Sequence, residues 1–258
     1  MTSASSGLRV ERLAKSFGGV HVFEDLSIEV PPARVTACIG PNGAGKTTLI
    51  NIICGVLKAD RGHVLLDSQN LDGIQPHETV ARGIGRTFQD VRILPLLTAL
   101  ENVLVAIPSQ RGERLRDLFL PGRGVGAEEQ RNRERALALL EAMGLAPVAA
   151  RPAGELPFGQ QKLLALVRLV ATGARTLLLD EPATGIEAEL HPRIVTLIRR
   201  LARDEGKAVL VVEHNMDVVR EVADHVVVLH GTVIASGPAD TVLKDERVIR
   251  EYLGRLYA

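Results

Sequence analysis

Gly40-Pro41-Asn42-Gly43-Ala44-Gly45-Lys46-Thr47, with Thr48 following, is the stretch that most limits how this chain can fold. It matches the spacing G-x-x-x-x-G-K-[ST]. Residues 35–39 (V-T-A-C-I) form a short apolar, β-prone run before it, and residues 47–54 read as a helix after it. The glycines let the backbone turn with positive φ and gather N–H groups around an anion. The dipole of the following helix faces the same point. Lys46 adds a mobile positive charge, and the Thr47 hydroxyl suits a magnesium ion. A chance glycine-rich turn is the alternative, but it gives no reason for the flanking strand and helix. The loop implies a bound nucleoside triphosphate.

Two further apolar runs, residues 176–179 (T-L-L-L) and 208–212 (A-V-L-V-V), are bounded by charge and fit strands buried on both faces. The first leads into Asp180-Glu181-Pro182 and the second into Glu213-His214. Strand–loop–helix units in this order build a parallel sheet whose ligand lies at the carboxyl ends of its strands. Gly40, Asp180 and His214 therefore converge on one edge. Asp180 is matched to Thr47 as a magnesium partner, and Glu181 is a candidate base for an attacking water. A purely structural acidic pair is the competing reading.

Residues 8–13 and 26–30 alternate like half-buried strands, with Gly18-Gly19 as a turn between them. Phe17, just before that turn, either stacks on a base or joins the core. Residues 62–67, 225–230 and 232–236 read as further strands. Gln89 follows the run I-G-R-T-F and is either a site residue or an ordinary surface glutamine. Residues 94–106 read as helical with an interruption at Pro95. Residues 108–135 carry Gly/Pro punctuation and charges of both signs, which favours a solvated loop-and-helix insertion over an anion-binding patch. A helix is expected to continue over 137–143 until Gly144 stops it, and others from 160 to Ala171, over 192–205 and 216–223, and in the tail 239–256. Residues 90–155 are expected to form a helical lobe inserted into a nucleotide-binding core of 1–89 and 156–258.

Composition narrows the partners. Lys+Arg and Asp+Glu are both 31, so net charge argues for neither nucleic acid nor a membrane surface. No run approaches the roughly 18 apolar residues of a membrane span. The first residues lack a secretory pattern, which makes the cytoplasm the default compartment. Cys38 and Cys54 flank the loop as a disulfide or metal pair, or as small buried apolar residues, the more ordinary role.

In this order the elements resemble the ATPase subunit of an ABC transporter over essentially the whole chain. The resemblance implies an α/β P-loop NTPase with a mainly parallel core sheet, an antiparallel β part and an inserted helical subdomain. It implies ATP and Mg2+ as cofactors. Phe17 takes the adenine-stacking position, residues 40–48 the phosphate loop, and Gln89 the magnesium- and partner-sensing glutamine. Leu156-Pro157-Phe158-Gly159-Gln160 stands where the signature L-S-G-G-Q belongs, so Phe158, Gly159 and Gln160 would face nucleotide. Asp180 and Glu181 become the metal and base pair, and His214 the switch histidine at the γ-phosphate. Implied partners are a second ATPase subunit in a head-to-tail homo- or heterodimer, two membrane permease subunits and, indirectly, a periplasmic or surface solute-binding protein. Implied too is a peripheral place on the cytoplasmic face of the membrane.

Two departures stand out. Pro157 replaces a serine and loses its hydroxyl and backbone N–H, which weakens phosphate binding there. Glu187 stands where a shorter acidic or amide side chain is usual. Gly85-Arg86-Thr87-Phe88-Gln89, Val91-Arg92, Glu101-Asn102 and the ending V-I-R-E-Y-L-G resemble branched-chain amino-acid importers, whose larger ATPase carries a similar 108–135 insertion. Urea and amide importers share this look. Lipid exporters and soluble assembly ATPases are rival readings, and the solute itself is not written in a subunit that never touches it. Apolar residues Val91, Ile93, Leu94, Leu96 and Leu97 either dock a membrane partner or pack inside the lobe.

Overall fold

Apolar runs without alternation become the centre of a sheet covered on both faces. The computed structural model describes residues 7–87, 91–110 and 125–249. Its strands are β1 (Leu8–Phe17), β2 (Val20–Val30), β3 (Arg34–Ile39), β4 (Arg61–Leu66), β5 (Gln69–Asn70), β6 (Ile84–Arg86), β7 (Thr176–Asp180), β8 (Ala208–Val212), β9 (His225–Leu229) and β10 (Val233–Pro238). The main helices are α1 (Lys46–Ile53), α2 (Pro76–Ala81), α3 (Ala99–Ala106), α4 (Val125–Ala142), α5 (Phe158–Ala171), α6 (His191–Arg203) and α7 (Met216–Val222). The described residues fall into two compact units, one within 1–86, 175–184 and 195–258, the other within 87–174 and 185–194.

The first unit holds both sheets. Strands run in the order β10-β9-β3-β8-β7-β6, parallel from β9 to β6 with β10 antiparallel at the edge. Every residue of β7 and β8 is buried, as strands covered on both faces must be. Successive side chains of β3 enter opposite layers. Cys38 joins Leu49, Ile50 and Ile53 of α1 together with Leu8 and Phe23 of the antiparallel sheet β2-β1-β4-β5. Ala37 and Ile39 join Met216 and Val219 on the other face. Each such aliphatic residue stabilises the fold by about 1.5–3 kcal/mol when fully buried. Register then sets the functional edge: Cys38 pairs with Val212, and Val212 with Asp180. β7 and β8 end level at Asp180 and Val212, β3 runs on to Ile39, and the residues that follow form one rim.

The second unit is helical. Thr98 and Glu101 close a reciprocal cap on α3, with Glu101 N–H donating to Thr98 Oγ1 and Thr98 N–H to Glu101 Oε2. Buried Asn102 accepts from Leu94 N–H at 2.8 Å and donates to the carbonyls of Leu94, Leu97 and Thr98. That amide fastens the connector before α3 and turns Leu96 outward, 93% exposed.

Several expected boundaries are corrected. Strands β1 and β2 extend to the Gly18-Gly19 turn, both glycines having positive φ as a two-residue hairpin requires. Residues 94–97 are not helical, because α3 starts at its Thr98 cap rather than at Leu94. Helix α4 (Val125–Ala142) is the one expected to continue over 137–143, and residues 111–124 of the expected insertion lie outside the described residues. The described part of the tail makes two single turns, Ala239–Val242 and Glu246–Val248, the second started by Asp245 accepting from Arg247 N–H, and residues 250–256 of the expected tail helix lie outside the described residues. No helix among the described residues is long and apolar enough to cross a membrane.

Candidate active site

The rim of the parallel sheet is built from the ends of β3, β7 and β8. After β3 the chain has no room for a side chain at Gly40, where a Cβ would come within 2.2 Å of the Leu229 carbonyl oxygen. At Gly45, φ is +94° and a Cβ would strike the Phe23 ring at 2.6 Å. Both positions need glycine, and the loop between them is locked in shape. Pro41 and Ala44 are joined by Ala44 N–H donating to the Pro41 carbonyl, while Asn42 and Gly43 face outward. Helix α1 starts at Lys46 without a side-chain cap or an acid in its first turn. Its N-terminal N–H groups and dipole therefore favour an anion.

Lys46 Nζ donates to the carbonyls of Gly40 and Pro41 at 2.7 and 2.8 Å. Burial lowers its pKa, opposed by negative groups including Glu181 and Asp180. Thr47 is exposed at the mouth of the loop and Thr48 lies beside it. Asp180 ends β7, buried, with Arg86 Nη2 3.5 Å from Oδ2. Burial raises its pKa, and the Arg86 guanidinium opposes that rise. Arg86 is itself held by Asn51 of α1, donating to Oδ1 at 2.6 Å. The Thr47 hydroxyl and Asp180 carboxylate are hard oxygen donors of the kind magnesium takes. A divalent cation beside Asp180 would favour the ionised form that burial disfavours.

Glu181 follows with φ +49°, a left-handed backbone uncommon for any residue but glycine, Asn or Asp. Its N–H donates to the Val212 carbonyl at 2.8 Å, and its Oε1 lies 2.9 Å from His214 Nε2. Glu181 and His214 are thus in direct contact although far apart in the sequence. Phe17 is at the tip of the β1–β2 hairpin, 46% exposed, with Lys15 Nζ 5.0 Å from its ring centroid. It is not a core residue. Gln89 lies outside the described residues.

The second unit carries the signature stretch. Phe158, Gly159 and Gln160 form the first turn of α5, whose cap Pro157 makes no side-chain hydrogen bond. Phe158 is 54% exposed and Lys162 Nζ sits 5.8 Å from its ring centroid. Glu187 lies against Gly159, so close that a Cβ there would meet Oε2 at 2.2 Å.

Three contributors escaped the sequence reading. Arg86 was visible within G-R-T-F-Q, yet its contact with Asp180 depends on β6 lying beside β7. Asn51 offered no signal among the residues of α1. Glu213 stood next to His214, and its carboxylate is fully buried and accepts from Ala183, His214 and Asn215 N–H. The cysteines are free, and burial pushes the thiol of Cys38 up to about 12 and that of Cys54 to about 11. They are packing residues.

The chain is similar to known proteins. A family described as ABC transporter matches residues 23–184. The high-affinity branched-chain amino acid transport ATP-binding protein BraF of Pseudomonas aeruginosa is 35% identical over 252 residues, covering 96% of this chain and 97% of its own. A solved ATP-binding cassette of an ABC transporter in its ADP conformation superposes with a TM-score of 0.79 at 36% identity, covering 96% of this chain and 98% of that one. A dimeric cassette bound to ADP and Pi reaches a TM-score of 0.74 at 27% identity over 90% of this chain and 98% of that one.

Proposed function

Because the chain belongs to the ABC transporter family as one of its ATP-hydrolysing cassettes, we propose that it energises an importer of branched-chain amino acids. The observation that carries the catalytic part is the level row Cys38–Val212–Asp180, which delivers Lys46, Glu181 and His214 to one rim. Lys46 and the N–H groups of residues 43–48 hold the phosphates, and Phe17 offers a ring face to adenine. Thr47, Asp180 and Gln89 would hold Mg2+, which neutralises phosphate charge when bound. Glu181 accepts the proton of the attacking water, and His214 holds that carboxylate in place and faces the outer phosphate.

Phe158, Gly159 and Gln160 complete the site of a second subunit, in a head-to-tail dimer, from the start of α5. The weakened cap at Pro157 makes that half dependent on the partner's nucleotide. A permease subunit docks on the connector before α3, where Asn102 presents Leu96 to solvent, and positions the chain on the cytoplasmic face of the membrane. A solute-binding protein acts on the far side. Support for the solute class is the name borne by BraF, aligned along nearly the whole of both chains. The test is uptake into vesicles holding the chain with its permease pair and solute-binding protein. ATP-dependent uptake of leucine, isoleucine or valine is expected. Uptake of urea or short amides alone would move the solute class.

A further inference from the structure

We propose that Glu213 is a positioning residue for hydrolysis: its buried carboxylate ties the turn carrying Glu181 to the strand end carrying His214. The proposal rests on the roles given above to Glu181 and His214. Past Asp180 and Val212 the ladder between β7 and β8 is finished, and nothing in the sheet register fixes the next residues. Two cross-links continue it. Glu181 N–H donates to the Val212 carbonyl at 2.8 Å, and Ala183 N–H donates to Glu213 Oε1 at 2.8 Å. The other carboxylate oxygen, Oε2, accepts from His214 N–H at 2.8 Å and Asn215 N–H at 3.1 Å. One side chain therefore holds both loops.

A carboxylate serves both sides. It accepts at each oxygen and donates at neither. Glutamine has the same shape but offers one oxygen and one NH2, so either orientation turns a donor toward a donor. The side with two N–H groups keeps the oxygen, and the Ala183 side is lost. The turn released is the one with Glu181 at φ +49°, a conformation that persists only when its surroundings hold it. Relaxation there moves the carboxylate away from His214 Nε2, now 2.9 Å distant. A displacement of about 1 Å at a reacting group lowers turnover by up to about 10²-fold. The phosphate loop is not part of this link, so ATP binding stands apart from it.

The experiment compares Glu213→Gln and Glu213→Asp with Glu181→Gln and His214→Ala in the full chain, reading kcat, ATP affinity and melting temperature. Aspartate keeps the charge and reaches its neighbouring N–H groups, but falls a methylene short of Ala183. Both Glu213 variants are expected to lower kcat about 10–10²-fold with ATP affinity unchanged. Added to His214→Ala, Glu213→Gln is expected to cost little more, as for groups acting through one contact. Wild-type kcat in both Glu213 variants, or a loss that multiplies in full with His214→Ala, overturns the proposal. So does a joint fall of melting temperature, affinity and kcat, which marks a packing role alone. Turnover retained by Glu181→Gln overturns the base assignment and this proposal with it. Turnover lost in Glu181→Gln but kept in Glu213→Gln overturns the link alone.

Discussion

The rim of the parallel sheet and the start of α5, the two regions proposed to meet phosphate, are finished to different degrees. At the rim, Lys46, Asp180 and Glu213 are buried, and each has hydrogen-bond or ionic partners within its own unit. At the start of α5, Pro157 has no N–H to offer, Phe158 is exposed, and a carboxylate from Glu187 rests on Gly159. One region is preorganised by a single chain. The other is an exposed helix start with a negative group beside its N-terminus. Under the proposed function, this contrast places ATP binding in the isolated chain and coupling in the assembly.

This contrast can be probed by substitution. Lys46→Ala removes the charged donor at the rim, and loss of a hydrogen bond to a charged group is worth about 1.5–3 kcal/mol. Titration of the isolated chain should show ATP affinity lower by about 10–10²-fold; unchanged affinity would mean that phosphate binds elsewhere. Leu96→Asp alters the exposed connector instead. It should leave ATP affinity intact and lower copurification with the permease pair about tenfold, the scale of truncating an interface anchor. Normal copurification would remove the connector from the interface.

The smallest effect is expected at Glu187. Its carboxylate opposes an incoming phosphate at the α5 N-terminus, where a charge is worth about 0.3–1 kcal/mol. Glu187→Gln should therefore raise ATP-dependent dimer formation about 2–5-fold at low salt, with the gain shrinking as salt is added. A decrease would give Glu187 a favourable contact with the partner subunit.

What could be read from the sequence follows the same division. The loop at residues 40–48 and the acidic pair were readable because glycine spacing and apolar strands are local signals. Their convergence was readable from the strand-end rule alone. The link from Glu213 to Ala183 was not, since it joins residues whose spacing obeys no period. Nor does residue type announce the left-handed backbone of Glu181. The start of α3 was misplaced although Thr98-x-x-Glu101 is a capping box in plain sight. The apolar run before it outweighed that cue, and long-range ties from Asn102, Ala153 and Gly154 hold that run as a partly exposed turn.

The most direct measurement is a paired one on Glu181→Gln: ATP titration and single-turnover hydrolysis in the same preparation. If the rim holds nucleotide and Glu181 is its base, binding stays at the wild-type level, hydrolysis falls about 10²–10⁴-fold, and an ATP-bound dimer accumulates. Hydrolysis near the wild-type rate with binding intact would contradict this and pass the role of base to another group on the rim, His214 first.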